Sequence, residues 1–393
     1  MLLACNICFY LVQRFYQFKG EYQVTEFRYE LIAKDGKARR GRIHTAHGPI
    51  ETPAFMPVGT CATVKAMKME DVRAQGADCV LGNVYHLMLR PGADLVEKMG
   101  GLHKFMNWSG PILTDSGGFQ VYSLNNILED DEDGVTFRSH IDGSKHRLTA
   151  EISTEIQYKL DATITMSFDE CTEFPVTYER AKESLERTIR WEKRSREAFI
   201  SREGYGQFGI IQGAHYPDLR KASIEALVDI GFEGYAFGGW LFDDTGSKET
   251  YNKTVEHCVP LMPEEKPRYM MGVGYPSDLI YSVQHGIDMF DCVIPTRNGR
   301  KGQAFVHNGV VKIKQAKYIE DASPLDPDCD CYVCKTYTKA YLRHLYMSGE
   351  SLCGMLMTEH NLYFYQKVMR LMRENIEAGT FEAFATEWLA KVK

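Results

Sequence analysis

Short apolar runs recur along the chain, and each ends in small or polar residues before a helical pattern begins. Eight such runs occur, at TPAFMPVG, DCVLGN, PILTDSGG, ATITMSFDE, FGIIQGA, YAFGG, RYMMGVG and MFDCVIPT. The clearest intervening helix is predicted from Tyr178 to about Ser201, where apolar residues fall three or four apart and Gly204 is a stop signal. Eight strand-then-helix units predict an α/β fold, a (β/α)8 TIM barrel; an open doubly wound sheet is the alternative.

One segment interrupts this rhythm. GVTFRSHIDGSKHRLT alternates on either side of Asp142-Gly143, which is typical of a β-hairpin, so a small β insertion is predicted after the third strand.

At the N-terminus, MLLACNICFYLV gives about a dozen largely apolar residues, fewer than the roughly 20 of a membrane helix, and it lacks the basic start of a secretory signal. We therefore expect no membrane segment, an extension over residues 1–27 and a catalytic domain over residues 28–393.

Composition describes a globular protein with ample core, since hydrophobic residues make up 44% and charged residues 25% of the 393 positions. The net charge of -7 argues against a generally basic surface but leaves room for a local basic patch. The most one-sided stretch runs from Asp291 to Lys317 and contains Arg297, Arg300, Lys301, Lys312, Lys314 and Lys317 against the single acid Asp291. This stretch is either ordinary solvated surface or a site for a polyanion.

The cysteines predict a metal site. Eleven cysteines are scattered along the chain, and one tight cluster, Cys329-x-Cys331-x2-Cys334, is followed 26 residues later by His360. Three thiolates and one imidazole form a closed tetrahedral Zn²⁺ site of the structural kind. His344 is the competitor for the fourth position, and three buried thiols with an unrelated histidine are the alternative to zinc. A metal cluster in a chain of this size also suits a reduced cytoplasm.

Acids stand at three predicted strand ends: Asp115 in LTDSGGFQ, Asp169 in SFDEC and Asp291 in MFDCV. In a barrel they converge on one mouth, where burial and mutual repulsion separate their pKa values. At a sugar carbon, one carboxylate of such a pair attacks as nucleophile while the other handles the proton. The alternative for each acid alone is a structural ion pair or a helix cap.

The order and spacing of DSGGFQ, FDEC, IQG, FGG, MGVG, FDCVIPTRNGR and CxCxxC with a downstream histidine resemble the bacterial tRNA-guanine transglycosylases (queuine tRNA-ribosyltransferases), from about Phe27 to the C-terminus. The resemblance implies a TIM barrel with an inserted zinc subdomain at about 318–366, and a homodimer. It implies an exchange of guanine for a 7-deazaguanine, usually the prequeuosine base, at the anticodon wobble position of tRNAs for Asp, Asn, His and Tyr. It also implies a covalent bond to ribose C1′ during that exchange.

The same resemblance implies a role for each matching residue. Asp291 matches the nucleophile, and Asp115 matches the general acid and base. The residues that match the base-binding set are Ser116, Phe119, Asp169, Cys171, Gln212, Gly238, Gly239 and Met271. Phe119 and Met271 would hold the flat base between them once it leaves its stack. Arg297, Arg300 and Lys301 would bind phosphates of the tRNA anticodon loop.

One stretch departs from the family pattern. GGWLFDDTGSKE stands where bacterial members read GGLAVGE, so Trp240 replaces Leu, Leu241 replaces Ala and Asp244 stands at the expected Glu. The departure is either drift around a backbone contact or a preference for queuine itself. Two other functions are alternatives: a non-catalytic tRNA-binding accessory subunit, which the presence of both Asp115 and Asp291 disfavours, and a metal-dependent barrel hydrolase, which the absence of HxH and HExxH disfavours.

Overall fold

The computed structural model describes residues 26–124, 127–173, 175–239 and 248–391. In those ranges the strands are β1 Arg28–Asp35, β2 Ala38–His44, β3 Ile50–Thr52, β4 Ala54–Gly59, β5 Val80–Gly82, β6 Ile112–Thr114, β7 Ile127–Asp130, β8 Gly134–Arg138, β9 Lys145–Thr149, β10 Ile164–Met166, β11 Gly206–Ile211, β12 Gly234–Phe237, β13 Arg268–Met270, β14 Met289–Cys292, β15 Gln303–Val306 and β16 Gly309–Lys312. Eight of them form a closed barrel in the order β10-β11-β12-β13-β14-β4-β5-β6.

The barrel confirms the predicted fold. Each of the eight apolar runs coincides with all or most of one barrel strand, and every neighbouring pair is parallel. The sheet closes because β14 pairs with β4 and β6 pairs with β10, which excludes the open doubly wound alternative. Parallel strands are covered by helices on the outside and packed on the inside, so their sequences are almost continuously apolar.

The α-helices of the described residues are Met69–Ala74, Val84–Leu89, Ala93–Lys98, Gly101–Phe105, Gly118–Ser123, Ala150–Lys159, Tyr178–Ala198, Pro217–Ile230, Lys248–Cys258, Pro276–Gln284, Ile294–Arg300, Tyr332–Thr336, Lys339–Met347, Ser351–Ala378 and Phe381–Lys391. The helix predicted from Tyr178 ends at Ala198 and begins after Thr177, whose hydroxyl accepts a hydrogen bond from the Arg180 amide. Among these helices, none has the length and apolar composition needed to cross a membrane.

Side chains fill the barrel interior in rows that follow the strand alternation. Leu113 of β6, Tyr269 of β13 and Met289 of β14 belong to one buried cluster inside the barrel. Because strand residues two apart face the same side, Asp115 continues the row of Leu113 and Asp291 continues the row of Met289. Both acids therefore point into the mouth of the barrel, at the carboxyl ends of the strands.

A three-stranded antiparallel sheet, β1-β2-β3, closes the opposite end of the barrel. Ile43 and Ile50 of this sheet join the interior cluster. The buried Arg39 pairs with Asp288 at 3.2 Å, and Asp288 immediately precedes β14. The sequence pattern did not predict this sheet, since β1 and β2 carry many charged residues.

The predicted insertion is also confirmed. β8 and β9 pair antiparallel around the Asp142-Gly143 turn, and β7 adds a third strand to the same small sheet. The insertion lies between barrel strands β6 and β10, as the sequence indicated.

The long helix Ser351–Ala378 ties the C-terminal region to β14. It crosses the helix Ile294–Arg300 so closely that a Cβ on Gly299 would lie 2.8 Å from the Thr358 backbone. The Asn361 amide donates to the carbonyls of Pro295 at 2.8 Å and Gln303 at 3.0 Å. The segment after β14 is thus held from its outer side.

Candidate active site

Asp291 is held at the mouth of the barrel with one carboxylate oxygen bonded and the other open. Oδ1 accepts from the Tyr269 hydroxyl at 2.5 Å and from the Gly272 amide at 2.8 Å. In the part of the chain that the structure describes, Oδ2 accepts no hydrogen bond, and neither Arg297 nor Arg300 pairs with it. Burial raises the pKa of Asp291, and the Tyr269 and Gly272 hydrogen bonds lower it. A carboxylate held on one side with a free oxygen on the other is arranged for attack.

Asp115 is buried at the same mouth, directly after β6. Its Oδ1 accepts from the Val84 amide at 2.8 Å, and its Oδ2 accepts from the Asn83 side chain. Burial raises the pKa of Asp115 to about 7, and the nearby charge of Asp291 adds to the rise. A carboxyl group with this pKa exists in both protonation states near neutral pH, as a general acid and base requires.

Asp169 is the centre of a buried polar cluster beside these two acids. Its Oδ1 accepts from the Ser116 hydroxyl at 3.1 Å, and its Oδ2 accepts from the Gln212 amide at 2.6 Å. The Cys171 thiol lies 3.6 Å from the same Oδ2. Burial raises the pKa of Asp169, and these hydrogen bonds lower it. Carboxylate and amide groups side by side form an edge that suits the hydrogen-bonding face of a purine.

The remaining predicted base-binding residues border this cluster. Phe119 lies in the helix Gly118–Ser123 and is 51% exposed. Met271 follows β13 and packs partly against the barrel interior. A Cβ on Gly238 would lie 2.7 Å from Gln212 Nε2, and Gly239 has φ +74°, so this turn requires glycine.

The three predicted RNA-binding cations lie directly after Asp291. Arg297 and Arg300 are in the helix Ile294–Arg300 and Lys301 follows it. Arg297 and Lys301 are exposed, and Arg300 is half-buried with a shielded Nη1. Within the described ranges, none of the three forms an ion pair. These cations therefore remain free to bind an external anion.

A second buried cluster contains Cys329, Cys331, Cys334 and His360. His360 Nδ1 lies 3.9, 3.4 and 3.3 Å from the three Sγ atoms in chain order, while Nε2 lies 2.8 Å from the Phe305 carbonyl. That carbonyl fixes the tautomer and leaves Nδ1 available as a ligand. The cluster can hold a metal ion. The competing fourth ligand His344 is exposed on the helix Lys339–Met347 and does not belong to it.

A histidine cluster at the opposite end of the barrel lacks the geometry of a metal site. Ligand atoms of His47, His103 and Asp161 lie within 4.8 Å of one another. However, the two rings are stacked at 3.7 Å with an interplanar angle of 18°, so their lone pairs run in parallel planes. The Thr163 hydroxyl lies 2.9 Å from His47 Nδ1, and Arg202 pairs with Asp161 at 2.6 Å. This arrangement does not direct three ligands to one point.

Two site residues escaped sequence reasoning. Asn83 and Tyr269 hydrogen-bond to Asp115 and Asp291, yet each lies on the strand next to its acid rather than beside it in sequence. The order of strands in a barrel is the signal that could have found them. The departing residues Trp240, Leu241 and Asp244, and most of the predicted extension, lie outside the described residues.

Comparison with known proteins matches most of this chain to one family. Residues 34–393 match the family model described as queuine tRNA-ribosyltransferase. Three relatives described by that name are similar along nearly their whole length. The protein of Granulibacter bethesdensis is 57% identical over 90% of this chain and 93% of its own. That of Gluconacetobacter diazotrophicus is 54% identical over 93% and 95%, and that of Rickettsia bellii is 54% identical over 92% and 100%.

Proposed function

Because this chain belongs to the queuine tRNA-ribosyltransferase family and is a tRNA-guanine transglycosylase, we propose that it exchanges the wobble guanine of GUN-anticodon tRNAs for a 7-deazaguanine. The tRNAs are those for Asp, Asn, His and Tyr, and the incoming base is the prequeuosine base. The reaction proceeds through a ribosyl ester on Asp291. The observation that carries the proposal is the free Oδ2 of Asp291 beside Asp115, whose pKa is about 7.

In the first half of the reaction, Asp291 Oδ2 attacks ribose C1′ and the bond from C1′ to the guanine nitrogen breaks. The electron pair of that bond leaves with guanine, and protonated Asp115 supplies a proton to the departing base. Tyr269 and the Gly272 amide keep Oδ1 bonded, so the attacking carboxylate does not rotate away. The product is a covalent Asp291–ribose ester and free guanine.

In the second half, Asp115 is a carboxylate and accepts the proton from the nitrogen of the incoming 7-deazaguanine. That nitrogen attacks C1′, and the ester bond to Asp291 breaks with return of its electron pair to the carboxylate. Two displacements at one carbon restore the original configuration of the ribose. A single acid can serve both halves because its pKa lies near neutral pH.

The base and the phosphate backbone of the tRNA are bound by different groups of residues. The flipped base lies between Phe119 and Met271, and its edge contacts Asp169, Gln212 and the Gly238–Gly239 backbone. Ser116 and Cys171 support Asp169 from the side. The free cations that follow Asp291, namely Arg297, Arg300 and Lys301, bind the neighbouring phosphates and give salt-dependent affinity.

The metal is proposed to be a structural Zn²⁺ bound by Cys329, Cys331, Cys334 and His360. Tetrahedral bonds of about 2.3 Å to sulfur and 2.0 Å to nitrogen would place nitrogen and sulfur roughly 3.5 Å apart. The three separations, 3.3 to 3.9 Å, fit that geometry. The cluster belongs to a subdomain at about 318–366, and a homodimer through this region is the assembly we expect.

A base-exchange assay tests the function. A tRNA with a GUN anticodon is preloaded with labelled guanine and chased with the prequeuosine base or with queuine. We expect release with the prequeuosine base, whereas release by queuine alone would establish the other base preference. Absence of release with either base would refute the exchange reaction.

The nucleophile is tested with Asp291→Asn. The wild-type protein should form a protein–RNA adduct that survives denaturation, and the variant should form none. Asp169→Asn is the matched control, because it removes a neighbouring buried carboxylate that is not the attacking group, so its adduct should form slowly rather than vanish. An adduct that persists in Asp291→Asn would assign the covalent bond to another residue.

A further inference from the structure

Arg220 is a fully buried cation beside the turns that carry Gln212 and Gly239. Among the described residues, its guanidinium donates to backbone carbonyls alone: Nε to Ala214 at 2.7 Å, and Nη1 to Ile211 at 2.6 Å and Gly238 at 3.0 Å. No carboxylate of the described residues pairs with it. Burial lowers the pKa of Arg220 to about 10.

Such a charge is costly unless its surroundings compensate for the lost water. The compensation comes from two strand-to-helix turns at once. Ile211 and Ala214 flank Gln212 at the end of β11, and Gly238 precedes Gly239 at the end of β12. One guanidinium therefore joins the two turns that form the purine-binding edge.

The Gly238–Gly239 turn lies close to two side chains. A Cβ on Gly239 would lie 2.6 Å from Gln212 Oε1 and 3.8 Å from Arg220 Nη2. One turn after Arg220 in the same helix, Ser223 Oγ accepts a hydrogen bond from the backbone N–H of Gln212 at 3.1 Å. The helix Pro217–Ile230 thus fixes the main chain of both turns from behind.

We propose that Arg220 and Ser223 are positioning residues for base recognition. They hold the Gln212 and Gly238–Gly239 turns at the separation at which a purine edge is bound, and they act through those turns rather than by touching the base. The inference rests on the proposed function, in which these turns contact the base. It adds two residues outside the base-binding set and gives the buried charge a purpose.

The test compares Arg220→Lys with the wild-type protein in exchange of labelled guanine into tRNA. Lysine keeps the charge but lacks the planar fork that reaches carbonyls in both turns. The KM for guanine should rise roughly tenfold to a hundredfold, the factor expected for lost hydrogen bonds to a charged group. The KM for tRNA should rise by a clearly smaller factor than the KM for guanine, because tRNA is also bound through phosphate contacts that lie elsewhere.

Arg268→Lys is the matched control. Arg268 is also buried and donates to carbonyls, Met262 at 2.9 Å and Gly286 at 3.4 Å, but it begins β13 at the opposite end of the barrel. The same substitution there should lower the melting temperature without changing the KM for guanine. An equal rise of that KM in both variants would overturn the proposal, because it would reflect general destabilisation.

Ser223→Ala keeps the proposal testable if Arg220→Lys fails to fold. It should raise the KM for guanine by a smaller factor, roughly threefold to tenfold, for the loss of one neutral hydrogen bond. An unchanged KM for guanine in a folded Arg220→Lys, or in Ser223→Ala, would overturn the positioning role and leave the exchange reaction intact. Failure of the wild-type protein to exchange guanine would overturn the proposed function and this inference together.

Discussion

Replacing Tyr269 by phenylalanine removes one hydrogen bond and leaves the barrel packing intact. The hydroxyl donates to Asp291 Oδ1 at 2.5 Å, while the Gly272 amide at 2.8 Å remains. A hydrogen bond to a charged group contributes about 1.5–3 kcal/mol. If that energy orients the carboxylate for attack, adduct formation in Tyr269→Phe should slow by roughly 10- to 100-fold.

The pH dependence gives a second measurement. In the proposed mechanism the attack needs ionised Asp291, and the Tyr269 hydrogen bond lowers the pKa of that carboxyl against the rise caused by burial. Its loss raises the pKa, so the ionised fraction at a given acidic pH falls. The acidic limb of the rate profile should move to higher pH. Single-turnover adduct formation, followed on denaturing gels from pH 5 to 9, measures both effects.

Tyr205→Phe is the matched control, since its hydroxyl donates to Asp161 at 2.9 Å at the far end of the barrel. It should change neither the rate nor the acidic limb. A Tyr269→Phe protein with a rate within about twofold of wild type and an unmoved acidic limb would refute the idea that Oδ1 must be held.

Three further predictions follow from the site. Adduct formation should decline above about pH 7, because the protonated fraction of Asp115 falls as pH rises through its pKa of about 7; a rate that stays flat to pH 9 would remove Asp115 as the acid. Cys331→Ala should lose bound zinc on dialysis and lower the melting temperature by at least about 5 °C, and retention of stoichiometric zinc would refute the ligand set. Arg297→Ala combined with Arg300→Ala should weaken tRNA binding and reduce the slope of log affinity against log salt by about 2, with the KM for the base unchanged as the internal control.

The sequence predicted the parts of the fold that depend on local pattern. Barrel strands are buried on both faces, so they stand out as short apolar runs. The sheet β1-β2-β3 is not predicted from the sequence, because Arg39 and Arg40 look like exposed residues when their partners are unknown. Their burial depends on distant partners: Asp288 for Arg39, and Glu51 with Glu377 for Arg40. Only the folded chain brings those charges together.

The candidate site shows the same difference between residues marked by a local pattern and residues whose contacts form only on folding. Asp115, Asp169 and Asp291 can be predicted as candidate site residues because each acid ends an apolar run. Tyr269 was hidden within such a run, where an aromatic residue is most simply core, and its role depends on β13 lying next to β14. Arg220 was hidden for another reason, since an arginine in an amphipathic helix is usually on the solvated face. Its partners are main-chain carbonyls, which a sequence does not reveal.

The closed end of the barrel, opposite the mouth, also limits how the two bases can enter and leave the site. The sheet β1-β2-β3 covers that end, and packed side chains fill the interior. In the proposed reaction, guanine must therefore leave through the same opening that admits its replacement, before the Asp291–ribose ester is broken. Both bases would bind that same covalent form of the enzyme, so guanine should be a competitive inhibitor with respect to the incoming base and a noncompetitive inhibitor with respect to tRNA.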